Sequence, residues 1–169
     1  MKHPWLLLLG ATLLTSCSDP AKSASDHARD TAALEKLFPV LEADRVTSLR
    51  RQDWCRVIAY RRGEFGHSAH GGPPKPATRA VMGFDSTADT DLDRIWKQVE
   101  ATKTGVFMMS DIAFDASGRV SHGVFDCSEG VVRQRYVFEP GHTLPADIPN
   151  ERWHTAIDSD WYYVREDWN

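Results

Sequence analysis

The chain has 169 residues, 41% of them hydrophobic and 26% charged, and a formal net charge of −4. That length suits one domain, and the hydrophobic share is that of a folded core rather than a disordered chain. The mild, evenly mixed acidity lacks the basic footprint of nucleic-acid binders, so no nucleic-acid partner is expected.

The N-terminus gives an address. Met1-Lys2-His3 is a short basic start, and Trp5 to Leu14 is an almost unbroken apolar run of ten residues. A permanent membrane helix needs ~20 residues, whereas a signal-peptide core has this shorter length. The run ends in Leu14-Thr15-Ser16-Cys17. These residues resemble the lipobox of bacterial lipoproteins, in which an aliphatic residue and two small ones precede the lipidated cysteine. The resemblance covers residues 1–17 only. It implies that 1–16 are a signal peptide, cleaved before Cys17. Cys17 would then carry a diacylglyceryl thioether and an acylated, palmitate-type amino terminus. At ~0.8 kcal/mol per buried CH₂, several acyl chains anchor a protein durably. In that family an Asp after the cysteine holds the protein at the inner membrane. Ser18 stands here, which implies the outer membrane, facing the periplasm.

Residues 17–30 carry Ser, Asp, Ala and Lys without apolar rhythm and read as a lipidated flexible tether. Residues 31–169 then form a single globular domain. Leu34, Leu37, Phe38 and Leu41 recur at helical spacing, with Pro39 expected to kink or restart the helix. Val46 and Leu49 extend that stripe into a second short helical segment ending at Arg50-Arg51. Trp54–Tyr60 reads as a strand. Gly63–Pro76 is dense in Gly and Pro and reads as a long exposed loop, the kind of segment that often carries function. Thr78–Phe84 suits a short strand. A helix follows, with Thr90 as N-cap, Leu92, Ile95, Trp96 and Val99 as its apolar stripe, and Gly105 as its stop.

Val106–Phe114, Arg119–Cys127 and Val131–Glu139 read as a three-stranded antiparallel meander, joined by turns at Asp115–Gly118 and Ser128–Gly130. With Gly118 closing the first turn, Phe114 lies across from Val120, Ile112 from His122 and Phe107 from Cys127. Strict alternation then puts Met108, Ile112, Phe114, Val120 and Val124 on one face, and Phe107, Met109, Phe125 and Cys127 on the other. Trp161–Arg165 is a further strand candidate. The fold class is α+β: an antiparallel sheet of four to six strands around this meander, with helices packed on one face.

With Cys17 committed to lipid, Cys55 and Cys127 remain as a pair in an oxidising compartment. A disulfide would close about 70 residues and contribute roughly 4 kcal/mol in the chain-entropy model. Two separate buried thiols are the alternative. His67 and His70 are three apart, but no third metal ligand is specified beside them. The acids of Asp85–Asp93 lack the glycine that a calcium loop needs at its sharp turn. Ser110, His122 and Asp126 could be combined as a hydrolase site, yet they fall on a flat hairpin without a strained nucleophile turn. No dinucleotide or phosphate-binding glycine motif occurs. No catalytic residue, cofactor or metal is therefore expected.

The remaining candidates are binding residues: Arg61, Arg62, His67 and His70 around the Gly/Pro-rich segment, and Trp168 in the aromatic C-terminal stretch, since Trp and Arg dominate binding hot spots. The expected function is a membrane-anchored, non-catalytic module that binds a periplasmic or envelope protein, such as an immunity protein inhibiting a cell-wall-directed toxin or lysozyme. An envelope-assembly lipoprotein that binds a membrane protein or peptidoglycan is the alternative. A hydrolase with an unrecognised site is the third reading.

Overall fold

The computed structural model describes residues 22–52, 55–60, 63–68, 75–76, 86–128 and 130–168; at 52, 55–56, 63–68, 75–76 and 86–89 it describes the backbone alone. Helix α1 (Ala24–Glu35) opens on Ser23, whose hydroxyl accepts the Asp26 amide while the Asp26 carboxylate accepts the Ser23 amide. This reciprocal cap satisfies two donors that the first helical turn leaves open. The expected tether thus becomes helical at Ala24. Its lack of apolar rhythm has a cause: of the four buried residues of α1, His27, Asp30 and Thr31 are polar and only Leu34 is apolar.

Helix α2 (Phe38–Asp44) restarts with Pro39 in its first turn and ends at Arg45, which is left-handed with φ of 52°. Residues 48–52 then form strand β1 (Ser48–Gln52), not a further helical segment. Leu49 faces the core at 1% exposure and its neighbour Arg50 is exposed, a period of two rather than of 3.6. Strand β2 (Cys55–Tyr60) falls where expected. Strands β3 (Gly63–Ser68) and β4 (Lys75–Pro76) replace most of the expected loop, each paired to its predecessor. The strand expected at 78–84 lies outside the described residues. Helix α3 (Ser86–Ala101) begins four residues before Thr90, which is therefore no N-cap.

The meander is present as β5 (Met108–Phe114), β6 (Val120–Asp126) and β7 (Val132–Phe138), followed by β8 (Arg152–Ala156) and β9 (Trp161–Asp167). All neighbours are antiparallel, in the order β4-β3-β2-β1-β5-β6-β7-β9-β8. The α+β class holds, with more strands than the four to six expected. Gly118, at φ of +87°, closes the first turn, and Phe114 pairs with Val120.

The expected register fails in one place. Asp111 is left-handed (φ 55°), and the pairing shifts so that His122 lies opposite Ala113, not Ile112. This bulge re-aims the strand. Met109 and Ile112, which strict alternation puts on opposite faces, both enter the same core at 0% and 4% exposure. Gly123 lies beneath them, where a Cβ would come within 2.7 Å of Ile112 Cδ1.

The principal core lies between the helices and this face of the sheet. Leu34 from α1, Leu37 between the helices and Leu41 from α2, and Leu92, Ile95, Trp96 and Val99 from α3, meet Leu49, Ile58, Met109, Phe125, Tyr136, Phe138 and Trp161. Trp161 stacks against the Phe38 ring and lies tilted against that of Phe138, and its indole N–H donates to Glu35 Oε1 at 2.9 Å. The opposite face holds a smaller cluster of Val137, Tyr162 and Val164, with Val124 against it. The ring of His142 lies 4.9 Å from that of Tyr162 and gives this face part of its cover.

At one margin of the sheet, β8 has three of its outward backbone groups occupied. Arg152 exchanges both backbone hydrogen bonds with Ile148 at 2.9 Å, and the His154 amide donates to Asp147 Oδ1 at 2.7 Å.

The expected Cys55–Cys127 bridge is not formed, and Cys127 is a free thiol. The strand order explains this: β1 and β5 stand between β2, which holds Cys55, and the end of β6, where Cys127 lies. Three strand spacings amount to about 14 Å, whereas a disulfide spans about 4.4–6.8 Å between Cα atoms.

Candidate interaction surface

The face of the sheet away from the helices carries an ordered set of charges. The register places Arg133 beside Glu166 and Glu166 beside Arg152. One rung further, Asp126 lies beside Arg135. Glu166 accepts an ion pair from Arg135 and another from Arg152 Nε at 2.6 Å. Asp126 Oδ1 lies 3.5 Å from Arg133 and 4.0 Å from Arg135. The two acids are buried, at 1% and 4% side-chain exposure, while Arg133 and Arg152 are open at 37% and 38%. Burial pushes the Asp126 carboxyl above its ordinary range, against the pull of Arg135 and Arg133.

Beyond this rung the sheet ends in exposed apolar surface. The Trp168 amide donates to the Val131 carbonyl at 3.0 Å, continuing the β7–β9 register by one step. Trp168 is 64% exposed and Val131 51%. They hold the next positions in the alternation after Glu166 and Arg133, so an aromatic and an aliphatic side chain adjoin the arginines. This exposed apolar pair, rimmed by polar groups, makes the end of the sheet the candidate contact surface.

Of the sequence candidates, Trp168 belongs to this surface. Cys17, Arg61, Arg62 and His70 lie outside the described residues. His67 pairs through its backbone with Arg56 in the β2–β3 hairpin, its side chain also lying outside them. Ser110, His122 and Asp126 are not brought together. Ser110 Oγ donates to Asp111 at 3.1 Å, and Asp126 is engaged by arginines. His122 and Asp126 stand four residues apart on one strand, about 13 Å at the usual rise. Arg133, Arg135, Arg152, Glu166 and Val131 escaped sequence reasoning, and Asp126 entered it only in combination with Ser110 and His122. Their one signal is the i, i+2 spacing of Arg133 and Arg135, which carries meaning only once β9 supplies Glu166 beside them.

A second polar cluster is interior. Tyr136 Oη lies 3.1 Å from His27 Nδ1 and donates to Asp30 Oδ2, and Lys22 Nζ reaches the same carboxylate at 2.7 Å. The Tyr163 ring packs 4.5 Å from that of His27. Desolvation moves His27 down from its ordinary pKa, with Lys22 adding to the shift. Asp30 is pushed up by burial but drawn down further by hydrogen bonds from Lys22 and Tyr136 and by the charges of Lys22 and Arg29, and ends below its ordinary range. The cluster fastens α1 to the sheet.

Among the described residues no group of three or more His, Cys, Asp or Glu is placed to hold a metal, and no helix is long and apolar enough to cross a membrane. The chain matches no family model, and neither the curated proteins nor the solved structures give a match.

Proposed function

We propose that the chain is a lipid-anchored protein of the bacterial outer membrane, facing the periplasm, and that it acts there as a non-catalytic protein-binding module. One observation supports binding above the others: the exposed Trp168–Val131 pair continuing into Arg133 and Arg152 on the helix-free face. Trp and Arg are the residues on which binding energy concentrates, and Arg offers a planar donor fork to a partner. The anchoring rests on Leu14-Thr15-Ser16-Cys17 and the leader before it. An inhibitor or immunity protein for a cell-wall-directed toxin or lysozyme is the concrete form of this reading.

The test is affinity capture from envelope extract by the chain from Ser18 onward, compared with the same chain carrying Trp168→Ala. Retention of a secreted hydrolase by the parent and its loss in the variant is the expected result. Retention of an assembly protein or of peptidoglycan instead would favour an envelope-assembly role. Equal retention by both chains would remove Trp168 from the contact. For the anchor, Cys17→Ser is expected to abolish metabolic labelling by a palmitate analogue, and persistence of label would overturn it.

A further inference from the structure

Helix α1 and strand β9 run in opposite directions across the sheet. Glu35, at the end of the helix, accepts from Trp161 at the start of β9, while the His27 ring packs on that of Tyr163, two residues along the strand. The chain therefore enters α1 from the end of the sheet at which β9 finishes, with Lys22 tied to Asp30 and Tyr136. The same end gathers exposed apolar side chains. Of the four large hydrophobics exposed among the described residues, Trp168 and Val131 hold the outermost β7–β9 rung, and Ile148, bridged to Arg152, lies about 7 Å behind them. The charges around them are of both signs: Arg165 pairs with Asp167, Arg152 with Glu166 and Arg133 with Asp126, and the Glu151 carbonyl accepts the Asp167 amide. Charge here selects no partner of one sign. The surface on offer is apolar.

We propose that this end of the sheet rests on the bilayer that holds the Cys17 lipid, with Trp168 and Val131 at the lipid–water boundary. This rests on the reading of Cys17 as the anchor, and it makes the bilayer the resting occupant of the surface that a protein partner would take. Cys17 and Lys22 are five positions apart, a separation that an extended chain spans in at most ~18 Å. The turn at Asp115–Gly118 closes the opposite end of β6, seven residues or about 23 Å away. A lipid on Cys17 thus brings the Trp168 end to the membrane and holds the other end off. Tryptophan concentrates at the membrane boundary, where its ring is buried and its N–H stays wet. Two such side chains would hold a free chain to lipid only weakly. A short tether makes the contact intramolecular, and at high effective concentration little affinity is needed.

The test is site-specific photocrosslinking of the full chain, lipidated in cells and reconstituted in phosphatidylcholine vesicles. Trp168→p-benzoylphenylalanine is the probe, and Ala116→p-benzoylphenylalanine, in the turn at the opposite end, is the control. The expected result is a phospholipid adduct, read by mass, from position 168 and little from 116. An insert of about twenty Gly and Ser residues after Ala21 makes the tether about five times longer, which should lower the effective concentration, and the yield with it, about tenfold. Thermal unfolding of each variant guards against misfolding. Equal yields from 168 and 116, a yield indifferent to the insert, a yield that appears only with anionic lipid, or adducts to a second copy of the chain in place of lipid would each overturn the proposal. The same probe in cells giving protein adducts and no phospholipid adduct would overturn it while supporting protein binding. A full chain that fails to float with vesicles, as Cys17→Ser should, would overturn the anchor and the proposal together.

Discussion

Tyr136 Oη donates a hydrogen bond of 2.9 Å to Asp30 Oδ2, joining β7 to α1 between two residues exposed by only 0% and 6%. The tyrosine serves two partners, since His27 Nδ1 lies 3.1 Å from the same oxygen. Tyr136→Phe keeps the ring and removes what both need. We expect a loss of about 1–3 kcal/mol, the usual cost of leaving a buried polar group unpaired. Equilibrium unfolding in urea checks it, and an unchanged midpoint would show that water replaces the hydroxyl.

The same cluster sets a pH dependence. The folded-state pKa of His27 lies below its ordinary 6.5, so the folded chain binds fewer protons there than the unfolded one. Stability from this group is complete above pH 6.5 and falls as pH drops towards the folded value. Asp30, with its pKa depressed below 3.8, keeps its contribution through that window and loses it only at more acid pH. Asp126, raised above 3.8, acts in the opposite direction between that value and its folded pKa. Unfolding free energies at pH 7.5, 6.5 and 5.5 should therefore decline for the native chain. His27→Asn should be less stable at pH 7.5 and flatter over the same range. Parallel curves would assign the slope to other groups.

The ion pairs beneath the arginines give a third expectation. Glu166→Ala removes the buried carboxylate that Arg135 and Arg152 share. Removing one member of a buried pair costs about 3–5 kcal/mol. Because both arginines remain partly solvated, the lower end applies, and added salt should change the difference little. Trp168→Ala should shift the unfolding midpoint hardly at all, as an exposed substitution within about 0.5 kcal/mol does.

Gly123 is required for close approach rather than for its backbone. Gly123→Ala would set a methyl group 2.7 Å from Ile112 Cδ1 and 3.1 Å from the Phe125 ring. Overpacking of this kind costs about 1–3 kcal/mol. Combined with Ile112→Val, which removes the colliding atom, the loss should be smaller than the two single losses added. An additive double-mutant cycle would show that the clash is elsewhere.

Burial pushes the Cys127 thiol up to about 12, which leaves almost no thiolate at neutral pH. Ellman's reagent should label Cys127 slowly in the native chain and at once in denaturant. A reductant should leave the thermal midpoint unchanged. A drop on reduction would indicate a bridge after all.

How far the sequence can be read depends on where its signals originate. The meander was legible because three runs of strand formers meet turn residues, and Gly118 supplies the positive φ that the first turn needs. The face assignments within it failed at Asp111, since a bulge leaves no mark that alternation can detect. Strand β1 reads as helix in the sequence because Val46 and Leu49, three apart, fit the helical period, whereas Val46 in fact precedes the strand and takes no part in its alternation. The β3–β4 region was hidden by glycines and prolines whose backbone pairing needs no hydrophobic pattern. Trp168 could be picked out as an aromatic near the end of a strand that packing does not account for. The arginines beside it could not, because Arg135 and Glu166 are separated by 31 residues and meet only through the register.

The bond from the His154 amide to the Asp147 carboxylate acts on the protein's company as well as its shape. An open margin of a sheet is a template on which other chains add strands and aggregates grow. Here Ile148 fills the place of the next strand for one rung, and a negatively charged side chain plugs the rung after it. Crowded copies brought side by side at this margin meet a strand already engaged at its first two rungs, with a carboxylate on it, so polymerisation through this part of β8 is resisted even at high local density. Any protein that engages this end of the sheet is left to approach its face.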